Sequence, residues 1–287
     1  MRNFQHKTLL YVFLHPFTLI FSLWVRHKKK QAGDEAIMHY AWFYDKFSEP
    51  VRQVRKGAGK WPALEALYNW APKAGFMGLL ESFWMNVRSA QALRNRKEIV
   101  VELIHNDAIR MIAQYGEARI LSIACGSAQT VFEAISGLEN VKVLAIDMDE
   151  TAIEYSKKLA KKYHIANVEW RLGNILNPAT TANGFEPNIV EVVGLFDYLS
   201  DKAIVGLLRR ICKMSQAGAV IITAHIHPNP EESTLRDIAD WDMIYRPISV
   251  FKRLMCEGGF EQAKYHLEPH NIFSVAHGET PKPPETV

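Results

Sequence analysis

The chain has 287 residues, 48% of them hydrophobic, so it is long enough to bury a large α/β core and to carry an additional segment. Its net charge of +3, without any run that interleaves aromatic and basic side chains, argues against a nucleic-acid-binding surface. The three cysteines lie far apart and form no C-x-x-C pair, so the sequence gives no support to a disulfide framework or a zinc cluster, and a reduced, cytoplasmic compartment is expected.

Residues 1–33 form a hydrophobic segment with a basic end. Residues 8–25 carry no formal charge at neutral pH, and residues 26–30 read RHKKK. The apolar run falls just short of the roughly 20 residues that a spanning helix needs, His15 and Pro16 interrupt it, and no cleavage site marks a secretory signal. The basic run favours the cytoplasmic face and attracts anionic headgroups. Two alternatives stay open: membrane contact, as a single span or in the interface, or a helical hairpin that covers the site or forms a homodimer contact.

Residues 34–89 have a mostly helical pattern and are predicted to form a cap. Asp34 can cap a helix that runs to Phe47, and loops rich in glycine and proline separate the segments that follow. From residue 76 the apolar positions recur at spacings of three and four, which predicts amphipathic helices leading to the next domain. That domain is expected to cover residues 90–280, and the proline-rich residues 281–287 are expected to form a disordered tail.

Residues 120–130, ILSIACGSAQT, combine an apolar run, a turn of small residues and the start of a helical pattern. A second apolar run ends on Asp147, at a distance that suits a crossover helix and a neighbouring parallel strand. In an open α/β sheet, ligands bind at the carboxyl ends of the strands, and an acid about 20 residues beyond the first turn accepts hydrogen bonds from ribose hydroxyls. The pattern therefore predicts a site for a nucleoside-bearing cofactor.

The glycine content of this turn separates two cofactor classes. A dinucleotide fold uses G-x-G-x-x-G to hold a pyrophosphate, whereas here only Gly126 is a glycine. Residues 121–128, LSIACGSA, resemble the first motif of class I S-adenosylmethionine (SAM)-dependent methyltransferases, and residues 145–149, AIDMD, resemble their second. The resemblance continues through residues 173–175, 188–199, 218–224 and 260–277. The chain departs from the commonest pattern in its single glycine and in Asn188, where many members have Asp.

The resemblance implies an α/β fold with a doubly wound, mostly parallel, seven-stranded sheet and an N-terminal helical extension. It also implies that SAM is the cofactor, that Asp147 holds the ribose hydroxyls and that Met148 packs on the adenine. Arg96, in the helix before the first strand, can donate two parallel hydrogen bonds to the carboxylate of the cofactor, or it can lie on a solvated basic face. The residues expected to bind SAM are Ala124, Gly126, Ser127, Asp147, Met148, Asn174, Ile175, Gly194 and Arg96.

The acceptor side is predicted from the residues that follow the fourth and fifth strands. Residues 194–201, GLFDYLSD, and 241–246, WDMIYR, resemble a bacterial subgroup that includes enzymes thought to make fatty-acid methyl ester signals. The substrate contacts implied are Phe196, Tyr198, Trp241 and Arg246. The candidate catalytic residues are His225, His227 and Tyr245, of which the two histidines face one side of an extended segment. Packed side chains with no catalytic role are the alternative for each, and no metal site is expected because a third ligand is missing.

The predicted function is transfer of a methyl group from SAM to a small-molecule or lipid-like acceptor, at a carboxylate or a hydroxyl. A carboxylate acceptor needs no base, whereas a hydroxyl acceptor benefits from a base such as His225, typically by about 10²–10⁴-fold. Two other classes stay open. A nicotinamide-dependent oxidoreductase uses the same strand-end acid but more glycines in the first turn, and a non-catalytic SAM-binding subunit uses the same fold without turnover.

Overall fold

A seven-stranded sheet forms the centre of the computed structural model, which describes residues 9–32 and 48–280. Its strands are β1 (Ala118–Ile123), β2 (Val141–Asp147), β3 (Val168–Leu172), β4 (Ile189–Val193), β5 (Val220–Ile226), β6 (Lys264–Leu267) and β7 (Phe273–Glu279). The spatial order is β3-β2-β1-β4-β5-β7-β6, with β7 antiparallel to both of its neighbours and the other pairs parallel. The prediction of a doubly wound, mostly parallel, seven-stranded sheet is confirmed.

The strand order places a switch point between β1 and β4. From β1 the chain moves outward to β2 and β3, and it then returns to β4 on the other side of β1. Connections that leave β1 and β4 in opposite directions open a crevice at the carboxyl edge of the sheet, where ligands bind in this type of fold. Asp147 is the last residue of β2 and lies at the same edge.

Helices cover both faces of the sheet. In the described ranges they are α1 (Leu9–Ala32), α2 (Glu49–Lys56), α3 (Trp61–Tyr68), α4 (Gly75–Met85), α5 (Arg88–Tyr115), α6 (Gln129–Ile135), α7 (Glu150–Lys162), α8 (Asp201–Met214), α9 (Glu232–Asp237) and α10 (Ile248–Glu257). Successive residues of a strand point to opposite faces. Ile120 therefore packs with Ile104 of α5, and its neighbour Leu121 packs with Leu208 of α8.

The predicted boundary between cap and catalytic domain falls inside one continuous helix. We expected the catalytic domain to begin at residue 90, but α5 runs without a break from Arg88 to Tyr115 and ends at Gly116, whose φ of 80° suits a glycine. Ala90 and Leu93, in its first turns, belong to the apolar cluster of the cap, whereas Ile99 belongs to the sheet cluster. The helix is thus shared by both parts because it buries different residues along its length.

The first helix packs against α9. The Ser22 hydroxyl lies 3.0 Å from both the Ser233 carbonyl oxygen and Asp237 Oδ2, to either of which it can donate, and the Arg26 Nη2 lies 2.8 Å from the same carboxylate. Within residues 9–32 and 48–280, no helix is both long enough and apolar enough to cross a membrane. The helix predicted for residues 34–47 and the tail predicted for residues 281–287 lie outside the described residues.

Candidate active site

A cleft of about 570 Å³ lies at the carboxyl edge of β1, β2 and β4, beneath the cap. Its volume falls within the range usual for small-molecule sites. The cap and α5 contribute Trp61, Leu64, Tyr68, Ser89, Leu93 and Arg96 to its wall. The strand ends and their loops contribute Ala124, Gly126, Ser127, Asp147, Met148, Glu191, Gly194, Asp197 and Tyr198, and the far end is closed by Ile226, Leu235, Trp241 and Phe273.

The turn after β1 reaches a left-handed backbone at three positions although only one of them is a glycine. Ala124, Gly126 and Ala128 all have positive φ, at 50°, 53° and 56°. A left-handed conformation costs a residue with a side chain about 1–2 kcal/mol, and alanine is the smallest such residue. At Gly126 the space is tight as well, because an added Cβ would lie 3.2 Å from the Cβ of Trp61 in the cap. The small residues therefore let the backbone and the cap approach the same ligand.

Asp147 is oriented by the backbone around it. Its Oδ2 accepts a hydrogen bond from the Gly126 N–H at 2.7 Å, and its Oδ1 accepts one from the Asp149 N–H at 2.9 Å. An ionised carboxylate can accept about four hydrogen bonds, so each oxygen retains capacity for a ligand hydroxyl. Met148, directly beside it, exposes 69% of its surface to the cleft and solvent. This geometry fits a ribose at Asp147 and a flat apolar ring against Met148.

Polar and aromatic contacts hold the cap against α7 and the turn after β1. Trp61 of α3 stacks on Tyr155 of α7 with ring centroids 4.6 Å apart, and its Nε1 donates to the Thr151 Oγ1 at 3.2 Å. Glu65, also on α3, accepts hydrogen bonds from the hydroxyls of Ser127 and Tyr155. Burial raises the pKa of Glu65 above its ordinary value, although these hydrogen bonds act in the opposite direction. The cap thus excludes water from one side of the cleft.

Two buried groups of opposite charge line the cleft beside β4. Arg96 is 2% exposed; its Nη2 donates to the Tyr68 hydroxyl at 3.2 Å, its guanidinium lies 4.8 Å from the ring centre of Phe273, and its Nε has no partner among the described residues. Glu191 accepts a hydrogen bond from the Ser122 hydroxyl at 2.5 Å. Burial raises the pKa of Glu191 to about 7. A buried guanidinium N–H without a described partner, on a residue that lines the cleft, suits a cofactor that carries a carboxylate.

A hydrogen bond between two aromatic side chains stabilises the far wall of the cleft. The Trp241 Nε1 donates to the Tyr198 hydroxyl at 2.6 Å, and both residues line the cleft as the sequence predicted. Burial raises the pKa of Tyr198 to about 12. Tyr198 is therefore a neutral group at physiological pH that fixes the position of the indole.

The two candidate catalytic histidines do not line the cleft. Strand β5 extends to Ile226 and pairs with β7, so His225 is fully buried, with its Nδ1 2.8 Å from Asp197 Oδ1 but not aligned as a hydrogen bond. Both ring nitrogens of His227 have partners at 2.8 Å, the Arg246 carbonyl oxygen and the Ser274 hydroxyl. Burial lowers the pKa of His227. We therefore no longer place either histidine at the reacting atoms. In the described ranges no three His, Cys, Asp or Glu side chains are grouped to hold a metal ion.

Residues 241–246 form a loop, because α9 ends at Asp237 and Asp240 has a positive φ of 54°. Arg246 does not reach the cleft: its Nε lies 2.8 Å from Asp201 Oδ1, and its guanidinium also donates to backbone carbonyls. The Tyr245 hydroxyl is buried without a described partner, and burial raises its pKa well above the ordinary value. Neither side chain lines the cleft.

Three more predicted contacts lie outside the cleft wall. Phe196 is fully buried in the cluster between the sheet and α8, and Ile175 is buried in the same cluster. Asn174 forms a turn of its own, in which its Oδ1 accepts a hydrogen bond from the Leu176 N–H at 2.9 Å. The predicted residues that the structure does bring together in the wall are Ala124, Gly126, Ser127, Asp147, Met148, Gly194, Arg96, Tyr198 and Trp241.

Sequence reasoning missed Glu191, Glu65 and Asp197. Glu191 carried a usable signal, because it is the only charged residue of β4, whose sequence is IVEVV. A carboxyl in the middle of a fully buried strand is costly unless it has a partner or a task. Glu65 contacts the turn after β1 through Ser127, and Asp197 lines the cleft. Neither carried such a signal, because their positions depend on how the cap and the loop after β4 pack.

A cleft at the switch point, a strand-end acid and a turn of small residues define an enzyme that binds a nucleoside-bearing cofactor on a Rossmann-like sheet. The methyltransferase domain family matches residues 116–270, more than half of the chain, and the protein belongs to this family. It is a SAM-dependent methyltransferase, so the nicotinamide alternative is set aside. No curated protein matches the sequence.

Solved structures share the fold at low sequence identity. A possible exported protein from Bordetella parapertussis is 15% identical, with a TM-score of 0.64 over 83% of this chain and 96% of that one. An O-methyltransferase family protein from Burkholderia thailandensis is 11% identical, with a TM-score of 0.52 over 77% and 68% of the two chains. Human N-acetylserotonin methyltransferase, solved in complex with SAM, is 12% identical, with a TM-score of 0.46 over 77% and 66%.

Proposed function

We propose that the protein methylates a lipid-like small molecule, one with an apolar chain that ends in a carboxylate or a hydroxyl. The observation that carries this proposal is a second cavity, of about 100 Å³, which adjoins the cofactor cleft. Its wall comes from α1, α2, α4, α5 and α9 and is almost entirely apolar. Phe21, Val25, Trp84, Ala90 and Ile238 are among its lining residues.

The cavity and the cleft share a wall. Ser89, Leu93, Leu235 and Trp241 line both spaces. An acceptor whose chain fills the apolar cavity therefore has its polar end at the cleft, where the cofactor lies. Burying each methylene of such a chain contributes about 0.8 kcal/mol, so chain length becomes a determinant of acceptor affinity.

The residues around the shared wall have positioning tasks. Bound SAM supplies a methyl group that is already activated, so the protein has to align the acceptor and exclude water. The hydrogen bond from Trp241 to Tyr198 fixes the indole beside the acceptor, and α3 covers the cleft through Trp61 and Glu65. A carboxylate acceptor needs no base, which agrees with the burial of His225 and His227 away from the cleft.

Product analysis tests the acceptor class. The protein with SAM is expected to methylate straight-chain carboxylates or alcohols of medium length, with rates that rise with chain length until the cavity is full. Mass spectrometry of the product distinguishes a methyl ester from a methyl ether. Methylation of short polar acids at the same efficiency as long ones would contradict a role for the cavity.

We further propose that α1 binds an anionic membrane surface on the cytoplasmic side. Its inner face packs on α9, while its outer face exposes Phe17 (67%), Ile20 (65%), Leu23 (61%) and Trp24 (39%). Residues 26–30 follow on the same helix and are basic, which complements anionic headgroups. Because Phe21 and Val25 of this helix also line the apolar cavity, a lipid-bound acceptor would lie close to its site.

The double variant Ile20→Gln, Trp24→Gln tests this surface. We expect it to bind vesicles that contain phosphatidylglycerol at least tenfold more weakly than the wild type, because two large apolar side chains no longer enter the interface. The matched control is Ile109→Gln, Leu267→Gln, which removes two exposed apolar side chains on other elements and should keep vesicle binding. Conversion of a dimer to a monomer with unchanged vesicle binding would instead identify the α1 face as a contact between two copies.

A further inference from the structure

Glu191 is a buried acid that has no role in the alignment of cofactor and acceptor described above. It sits between apolar residues of β4, is 7% exposed and lines the cofactor cleft. A carboxylate in such a place loses most of its hydration, which costs several kcal/mol unless a partner compensates for it. Arg96 supplies one positive charge nearby, and the cleft is the side from which a ligand could supply a second.

The groups around Glu191 define what it can bind. Ser122 is its register neighbour on β1 and donates a hydrogen bond at 2.5 Å, and Arg96 acts on it from α5 through its positive charge. Cys125, in the turn after β1, is a titratable neighbour of Glu191. Burial raises the pKa of the Cys125 thiol, and the negative charges of Asp147 and Glu191 raise it further. On β5 the register partner is the apolar Ile222.

The order of the strands indicates which end of the cofactor lies near Glu191 and Arg96. Asp147 ends β2, the Gly126 turn follows β1, and Glu191 lies on β4, so the three occupy adjacent strands along the cleft. If the ribose lies at Asp147, the amino-acid end of SAM extends across β1 towards β4. That end carries one ammonium and one carboxylate group, and the cleft beside β4 carries one acid, Glu191, and one arginine, Arg96.

We propose that Glu191 binds the α-ammonium group of SAM, with Arg96 beside it for the carboxylate. The two residues then form a pair of opposite charges that recognises the ammonium and carboxylate groups of the amino-acid end. Such a pair distinguishes SAM and S-adenosylhomocysteine (SAH) from nucleosides that lack the amino-acid end. The proposal rests on the family's cofactor and is independent of the acceptor.

A coupling between cofactor binding and proton release follows. Burial raises the pKa of Glu191 to about 7, so the free protein carries this group partly protonated near neutral pH. An ammonium group favours the ionised form, and it therefore lowers the pKa of Glu191 on binding. The affinity for SAM should rise as the pH increases from 6 to 8, and binding near pH 6.5 should release a proton to the buffer.

Calorimetric titration of Glu191→Gln tests the assignment with three ligands. We expect SAM and SAH to bind at least tenfold more weakly, while 5′-methylthioadenosine, which has no amino-acid end, changes less than twofold. The rise of SAM affinity with pH should disappear in this variant. Equal weakening of all three ligands would show a structural role, a loss confined to SAM would place the acid at the sulfonium, and unchanged binding would remove Glu191 from the site; each of these overturns the proposal.

Ser122→Ala provides a second test that keeps the acid. Ser122 stabilises the ionised form of Glu191, so its loss should move the pH at which SAM affinity reaches its plateau to a higher value. An unchanged pH profile would contradict the proposal. The folding of both variants is followed by thermal melting. Because the acid's pKa is raised in the folded state, its ionisation destabilises the fold as the pH rises through about 7, and Glu191→Gln should melt no lower than the wild type at pH 8.

Discussion

Replacement of Asp147 by alanine is expected to weaken the binding of both SAM and SAH by roughly a hundredfold, about 3 kcal/mol. The two ribose hydroxyls would each lose a hydrogen bond to a charged acceptor, and such bonds contribute about 1.5–3 kcal/mol. The carboxylate is already held in place by the Gly126 and Asp149 N–H groups, so little entropy is lost when the ligand binds. Calorimetric titration measures the effect directly.

Two further variants separate ligand contacts from the integrity of the turn. Asp147→Asn keeps the shape of the side chain and one accepting oxygen, and its loss of affinity should lie between those of the wild type and of Asp147→Ala. Glu154→Ala removes an exposed acid of α7 that pairs with its helix neighbour Lys157 and does not line the cleft, and it should leave SAM binding unchanged. An affinity of Asp147→Ala within twofold of the wild type would show that the ribose lies elsewhere.

Filling the apolar cavity is expected to change acceptor selectivity by at least a hundredfold. Ala90 of α5 lines this cavity but not the cofactor cleft, and it is 4% exposed. In Ala90→Phe the ring would occupy the space assigned to the acceptor chain. We expect kcat/KM for long-chain acceptors to fall about a hundredfold or more, roughly 2.7 kcal/mol, while short acceptors keep their rates within threefold.

The controls for this variant are SAM affinity and a graded substitution. Cofactor binding should be unchanged, because the shared wall of Ser89 and Trp241 is kept. Ala90→Val adds less volume and should reject only the longest acceptors. A uniform loss of activity with every acceptor, together with a lowered melting temperature, would indicate overpacking of the cap and not an acceptor site.

The strand ends were predictable because their signals are local. β-branched runs mark the parallel strands, and an acid that closes such a run lies at the edge where ligands bind. Asp147 and Gly126 were placed correctly in the cleft wall for this reason. Ala124 and Ala128 look unremarkable in sequence, yet their left-handed backbone replaces the glycines that the turn lacks.

The acceptor side was less predictable because it depends on long-range packing. His225 seemed to leave the sheet at its ligand edge, but the antiparallel pairing of β5 with β7 continues through it and puts Ser274 opposite. Arg246 seemed free for a substrate, but the fold brings Asp201 and two carbonyl groups to it. Only side chains distant in sequence decide these outcomes, so periodicity cannot reveal them.

A crystal structure with SAH and a medium-chain carboxylate would show directly where the cofactor and the acceptor bind. We expect the ribose hydroxyls to lie within hydrogen-bond distance of Asp147 and the alkyl chain to lie in the cavity between α1 and α5. The carboxylate should then lie at the wall that Ser89 and Trp241 share between the two spaces. An alkyl chain bound outside this cavity, or a ribose away from Asp147, would contradict this expectation.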